Sequence, residues 1–189
     1  MRRFSVRPAI TMKGRKFKGL RGWAGKPFHP PLTDIPIAAY ILGATFDVVS
    51  VIGGDDRSWG QDFWRAATYV FVAGAAVSVL AALTGLIDWL RSSEAGTQAR
   101  RTANTHATIM VVVTLLTLVD VFLHLDGYNT ELAAPGGVAV LSVAIALLVS
   151  WGATYGGSLV FDYGFNVETA GDSPVWHQSD VDVLPGEHG

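Results

Sequence analysis

Four apolar runs, residues 35–54, 66–90, 105–125 and 138–161, alternate along this chain with shorter polar stretches. Each is about as long as the hydrocarbon core of a bilayer requires, roughly 20 residues at ~1.5 Å per residue. Few ionisable groups interrupt them. Asp47 lies in the first run, Asp88 closes the second, His106 opens the third, and Asp120 and His124 follow further along it. A soluble domain of 189 residues would break its helices into shorter amphipathic pieces. The pattern predicts an all-α, integral membrane four-helix bundle running up, down, up and down. Between the runs the chain turns on polar punctuation: Gly53, Gly54, Asp55 and Asp56 after the first, Ser92 to Asn104 after the second, and Pro135 before the fourth. Trp59 and Trp64 fall where interfacial aromatics belong.

Charge divides the chain further. Nine of its 14 Lys and Arg residues precede the first run, and Arg91, Arg100 and Arg101 sit between the second and third. Only Arg57 and Arg65 lie in a segment that an even number of spans puts on the opposite side. The positive-inside rule then predicts both termini in the cytoplasm, in a bacterial inner-membrane protein. Three regions follow: a basic N-tail (1–28), a transmembrane domain (29–161) and an acidic C-tail (162–189). The C-tail has Asp162, Glu168, Asp172, Asp180, Asp182 and Glu187 and no Lys or Arg. The N-tail has no apolar core behind its charges, so the first run is expected to act as an uncleaved signal anchor. Phe4, Phe17 and Trp23 among its basic residues fit an anionic leaflet better than nucleic acid. The tails would meet lipid headgroups, or partners in a membrane complex.

Half the residues are hydrophobic, 16% are charged and none is cysteine. Disulfides, thiol nucleophiles and cysteine-ligated clusters are thereby excluded. The sequence contains no glycine-rich phosphate loop, GxSxG, HExxH or CxxC, so no catalytic site is expected. It shows no convincing internal repeat. Small residues do recur four apart, at Gly74/Ser78, Ala81/Gly85 and Gly152/Gly156, a spacing that lets helices approach closely in lipid.

Folding the runs up and down sorts the polar residues into two layers. On the cytoplasmic side fall His29, Asp34, Asp88, His106 and Asp162 with Tyr163. Deeper, toward the outer face, fall Asp47, Asp120 and His124, the last two sharing a helix face at i and i+4. His29 and His106 either cap their helices or act as a pair on two parallel helices. A pair of neutral imidazoles can ligate a haem iron axially, or border a quinone site. Asp88 and Tyr163 would then support them from behind, although Asp88 could equally pair with Arg100 or Arg101. An intramembrane carboxylate is costly and by default faces a partner inside the bundle, so Asp47, Asp120 and His124 form either a structural hydrogen-bonded cluster or a proton or metal site.

The motifs PFHPPLTDIPI, Phe46–Asp47, LTGLIDWL, ARRTANTHA and YGGSLVFDYGFNV, in this order, resemble a family of small bacterial predicted membrane proteins of unknown function. Its signature reads approximately Gly-His-Pro-Leu-His-Pro, and the resemblance covers about residues 25–167. The first signature histidine falls on Lys26 here, so His29 and His106 are the histidines that carry over, with Asp88 and Tyr163. Some members are fused to Rieske iron–sulfur domains, which implies redox chemistry at a membrane. Three functions are therefore expected, in this order. The first is a non-catalytic subunit of a respiratory or electron-transferring assembly, acting as anchor or scaffold. The second is a small b-type cytochrome or quinone-site protein using His29 and His106, and the third a proton or ion carrier using Asp47, Asp120 and His124.

Overall fold

The protein is described here by a computed structural model that covers residues 18–22 and 26–167. Most of the basic N-tail, and the C-tail beyond Val167 with His177 and His188, lie outside the described residues.

Each apolar run becomes one helix. The helices are α1 (His29–Gly53), α2 (Ser58–Ser92), α3 (Gln98–Gly127) and α4 (Gly136–Phe161), all four long and apolar enough to cross a membrane. Three of them start well ahead of their apolar run. α1 opens on His29 with Pro30 and Pro31 in its first turn, where a missing N–H costs nothing. α3 starts at Gln98, capped by the Thr97 side chain, which accepts from the Arg100 N–H. These polar first turns are helical without being hydrophobic, so the hydropathy pattern marks only the buried length of each rod. Pro135 is the residue before α4.

The surface is as apolar as the interior. Ile52 and Val140 are 71% exposed and Phe122 and Leu147 67%, whereas Asp47, Asp120, His124, Ser50 and Ser142 are fully buried. An outward hydrophobic shell of this extent would be an aggregation surface in water. In lipid it costs nothing, and the few polar side chains turn inward to find one another.

α1 packs on α2 and α4, and α3 on the same two helices, while the backbones of α1 and α3 stay apart. The bundle is thus a ring with α1 and α3 on one diagonal. Glycines set the tightest seam: a side chain at Gly43 would strike the Phe71 ring, and one at Gly74 would strike Ala39 and Tyr40. Around this seam Tyr40, Phe71, Ile109, Val113, Ile145 and Val149 form the apolar centre.

The two helical hairpins repeat one another. When His29 is set on His106, the buried residues Pro36, Tyr40, Gly43, Asp47 and Ser50 of α1 fall on Val113, Thr117, Asp120, His124 and Gly127, all buried in α3. When Ala81 is set on Gly152, buried Ala67, Thr68, Phe71, Gly74, Ala81 and Asp88 of α2 fall on Val138, Ala139, Ser142, Ile145, Gly152 and Leu159, all buried in α4. The repeat lives in the pattern of burial. Most paired residues differ in kind, and for that reason the sequence conceals it.

Candidate functional site

The first polar layer is built twice, once in each hairpin. In the first, His29 Nδ1 lies 2.9 Å from the Ala81 carbonyl of α2, with Thr84 Oγ1 at 3.3 Å. In the second, His106 Nδ1 lies 2.9 Å from the Gly152 carbonyl of α4. A carbonyl only accepts, so each Nδ1 carries the proton and each Nε2 presents a lone pair. Four residues beyond each carbonyl stands a glycine that the imidazole covers. A Cβ on Gly85 would come within 2.7 Å of His29 Cε1, and one on Gly156 within 3.2 Å of His106 Cε1. Two of the small-residue pairs visible in the sequence are therefore seats for histidines. The two rings, on diagonal helices, lie within electrostatic range of each other, and neither Nε2 has a hydrogen-bond partner among the described residues. Neither histidine is a helix cap. His29 reaches sideways to α2, and His106 sits two turns inside α3, whose cap is Thr97.

Asp88 is nearby and buried. Its Oδ1 accepts the Leu20 N–H at 2.8 Å, and its Oδ2 lies 3.5 Å from Asn166 Nδ2. It thereby grips the roots of both tails. Arg100 and Arg101 bond elsewhere: Arg100 lies 3.7 Å over the Trp89 ring and donates to the Ser93 carbonyl, and Arg101 donates to the Gly96 carbonyl. Tyr163 stands half-exposed at the end of α4, with the Thr102 hydroxyl at 3.4 Å.

The second layer joins three helices. His124 Nδ1 donates to the Asp120 carbonyl at 2.9 Å, and its Nε2 lies 3.1 Å from Asp47 Oδ1, across the diagonal. Ser142 of α4 donates to Asp47 Oδ2 at 2.5 Å, and the same hydroxyl lies 3.2 Å from Asp120 Oδ1. The Trp64 ring stacks on His124 at 4.3 Å between centroids, and Phe71 closes another side. Asp47, Asp120 and His124 are thus brought together as one cluster. Ser142, Trp64 and Phe71 complete it, although a serine and two aromatics in apolar runs carry no signal of their own.

The hydrogen bonds fix the cluster's proton inventory. One proton lies between His124 Nε2 and Asp47 Oδ1. The Ser142 hydroxyl has a single proton and three acceptors in reach, Asp47 Oδ2 at 2.5 Å, the Val138 carbonyl at 3.0 Å and Asp120 Oδ1 at 3.2 Å. Assigned to the nearest, Asp47, it leaves the contact with Asp120 a hydrogen bond only when Asp120 is the donor. With both of these protons present every such bond is made, and the imidazolium cancels the Asp47 carboxylate beside a neutral Asp120. A net-neutral cluster is the form a bilayer interior tolerates best.

The family model described as Predicted membrane protein (DUF2231) matches residues 25–169. The chain belongs to that family. No curated protein and no solved structure matches it. The region shared with DUF2231 proteins contains both polar layers, all four helices and Asp88 with Asn166, whereas Leu20, the other partner of Asp88, lies before it.

Proposed function

We propose that this protein is a small b-type cytochrome of the bacterial cytoplasmic membrane, serving as an electron-carrying, non-catalytic subunit of a larger respiratory assembly. His29 and His106 would hold the haem. The helices run up, down, up and down with both termini in the cytoplasm, which puts the haem near the cytoplasmic rim. The observation that carries the reading is the twofold tethering of the imidazoles: a backbone carbonyl on each Nδ1, a glycine under each ring, and an unpaired Nε2 on each. A histidine kept for packing alone does not need its tautomer fixed in duplicate on opposite helices, whereas one that would ligate haem iron does. The donor set fits the group. Both ligands are neutral, so iron binding imports no uncompensated protein charge into the membrane, and the tethers fix Nε2 as the nitrogen each ring would offer to iron.

Bound there, haem supplies one-electron chemistry. The residues contribute orientation, through the Ala81 and Gly152 carbonyls, and a negative charge at Asp88 in reach of His29. Asp88 also draws the two tail roots to the same rim, which supports docking of a redox partner through the tails.

The test is purification from the native membrane in mild detergent, with an absorption spectrum and a mass. One haem per chain, partners in the complex, and loss of the Soret band in both His29→Ala and His106→Ala are expected. A colourless protein that takes up no added haem would overturn the cytochrome, and a haem protein running alone would overturn the assembly role.

A further inference from the structure

The cluster around Asp47 has a sealed end and an open end. On the sealed side the polar groups are used up. Ser50 donates to the Gly60 carbonyl at 2.6 Å and accepts the Ala134 N–H at 2.8 Å, and Trp64 Nε1 donates to the Gly127 carbonyl at 3.2 Å. The Trp64 ring then lies flat on His124. Toward the histidine layer the situation reverses. Asp120 Oδ2, Thr117 Oγ1 and the Tyr40 hydroxyl are all buried and make no hydrogen bond; Asp120 Oδ2 does lie 3.3 Å from His124 Nδ1, whose hydrogen goes to the Asp120 carbonyl. Thr117 stands one turn from Asp120 on the same face of α3, and Tyr40 lies beside Thr117 and Ser78. Buried polar atoms without a partner are rare, and where several share one region an ordered water with two to four partners is the usual resolution.

We propose that the Asp47–Asp120–His124–Ser142 cluster is a proton-binding site, reached from the histidine end of the bundle through internal water held by Asp120 Oδ2, Thr117 and Tyr40. The resting cluster holds two exchangeable protons, one between His124 and Asp47 and one on Asp120. The Asp120 proton, which donates from Oδ1 to Ser142, is turned to the unpaired side by rotation of the carboxyl, which breaks the bond to Ser142. It then passes to a water that relays a proton onward, and a proton returning by the same route restores neutrality. The groups facing the site from each element are few. α1 gives Asp47 and α3 gives Asp120 and His124; α2 contributes the uncharged Trp64 and Phe71, and α4 contributes Ser142. Among the described residues no cation other than the His124 imidazolium faces the cluster, so departure of one proton leaves a single uncompensated negative charge. That charge is what favours reloading. The inference stands whether or not His29 and His106 bind haem.

Infrared spectroscopy of the intact protein in lipid vesicles tests it. At neutral pH a protonated-carboxyl C=O band is expected in the wild type and is expected to vanish in Asp120→Asn. On transfer to heavy water that band should shift. Its exchange should be slower by about tenfold in Tyr40→Phe and in Thr117→Val, the factor that one ordinary net hydrogen bond supplies. Both variants keep their volume and stay apolar-compatible, so they remain readable if Asp120→Asn fails to fold. Absence of a protonated-carboxyl band would overturn the site. A band exchanging equally fast in wild type and both hydroxyl variants would overturn the route.

Discussion

The two glycines beneath the histidines allow a matched pair of substitutions with opposite outcomes. Gly85→Ala puts a methyl 2.7 Å from His29 Cε1, whereas Gly156→Ala puts one 3.2 Å from His106 Cε1. To restore a carbon–carbon contact of ~3.5 Å, the His29 ring must retreat by about 0.8 Å and the His106 ring by about 0.3 Å. Each Nδ1 lies 2.9 Å from its carbonyl. The larger retreat carries His29 out of hydrogen-bond range, while the smaller leaves His106 within it. Against this, alanine improves helix propensity by about 1 kcal/mol. Losing the tether costs about 1 kcal/mol, and crowding the seam costs another 1–3, to order of magnitude. Gly85→Ala should therefore destabilise the bundle by roughly 1–3 kcal/mol, and Gly156→Ala should be neutral or slightly stabilising. Thermal unfolding in detergent, followed by far-ultraviolet circular dichroism, reads the difference. If the cytochrome reading holds, the Soret band should shift or weaken in Gly85→Ala alone. Equal effects at the two positions, or a more stable Gly85→Ala protein, would refute the claim that these glycines exist to seat the imidazoles.

Other expectations follow from the same geometry. Trp64→Ala removes a fully buried ring and the lid over His124 and should cost about 3–5 kcal/mol; Trp64→Phe, which keeps a ring and loses the bond to Gly127, should cost closer to ~1 kcal/mol. Both are measurable by the same unfolding assay. Ser142→Ala severs the link between the two carboxylates and should cost on the order of 1 kcal/mol, and in a double-mutant cycle with Asp47→Asn the two effects should not add. Asp88→Leu should free the N-tail root, seen as faster trypsin cleavage after Lys18 or Arg21, with the bundle destabilised by about 1–2 kcal/mol; Asp88→Asn, which still accepts from Leu20, should fall between. Arg100→Ala should lose the stacking on Trp89 and the bonds to Ser93, about 1 kcal/mol, without altering any spectrum.

The helices and their number are legible in the sequence because crossing a bilayer demands a length of apolar chain that nothing else demands. The inner layer was also legible as three residues, since a carboxylate or imidazole inside such a run has nowhere to go but inward. What hydropathy could not reveal is the company they keep. Ser142, Trp64 and Phe71 look like filler in a run of Val, Ala and Leu, and only three-dimensional packing sets them against Asp47 and His124. The internal repeat was hidden for a related reason. Equivalent positions carry Tyr40 and Thr117, Phe71 and Ser142, or Asp47 and His124, so identity is lost where burial is kept. His29 with His106, and Gly85 with Gly156 beneath them, preserve both. Asp88 misled in its partners: an arginine twelve or thirteen residues along the chain is a natural guess, but Arg100 finds the indole face of Trp89, and a backbone N–H takes the carboxylate.

The likeness of the two hairpins raises a question of self-recognition during assembly. Half-bundles built on one plan could each pair with a copy of themselves. Two copies of the α1–α2 half would bring Asp47 against Asp47 across the diagonal, and two copies of the α3–α4 half would set His124 against His124 with both Asp120 carboxyls close by. Only the mixed pairing sets a carboxylate opposite an imidazole across the diagonal, at Asp47 and His124. The single position at which the halves differ most in chemistry therefore acts as a mating code, rejecting like with like in a medium where an unmatched polar group is costly. Cut in the polar link near Gly96 and made as two pieces, the halves should find each other in the membrane and ignore their own kind.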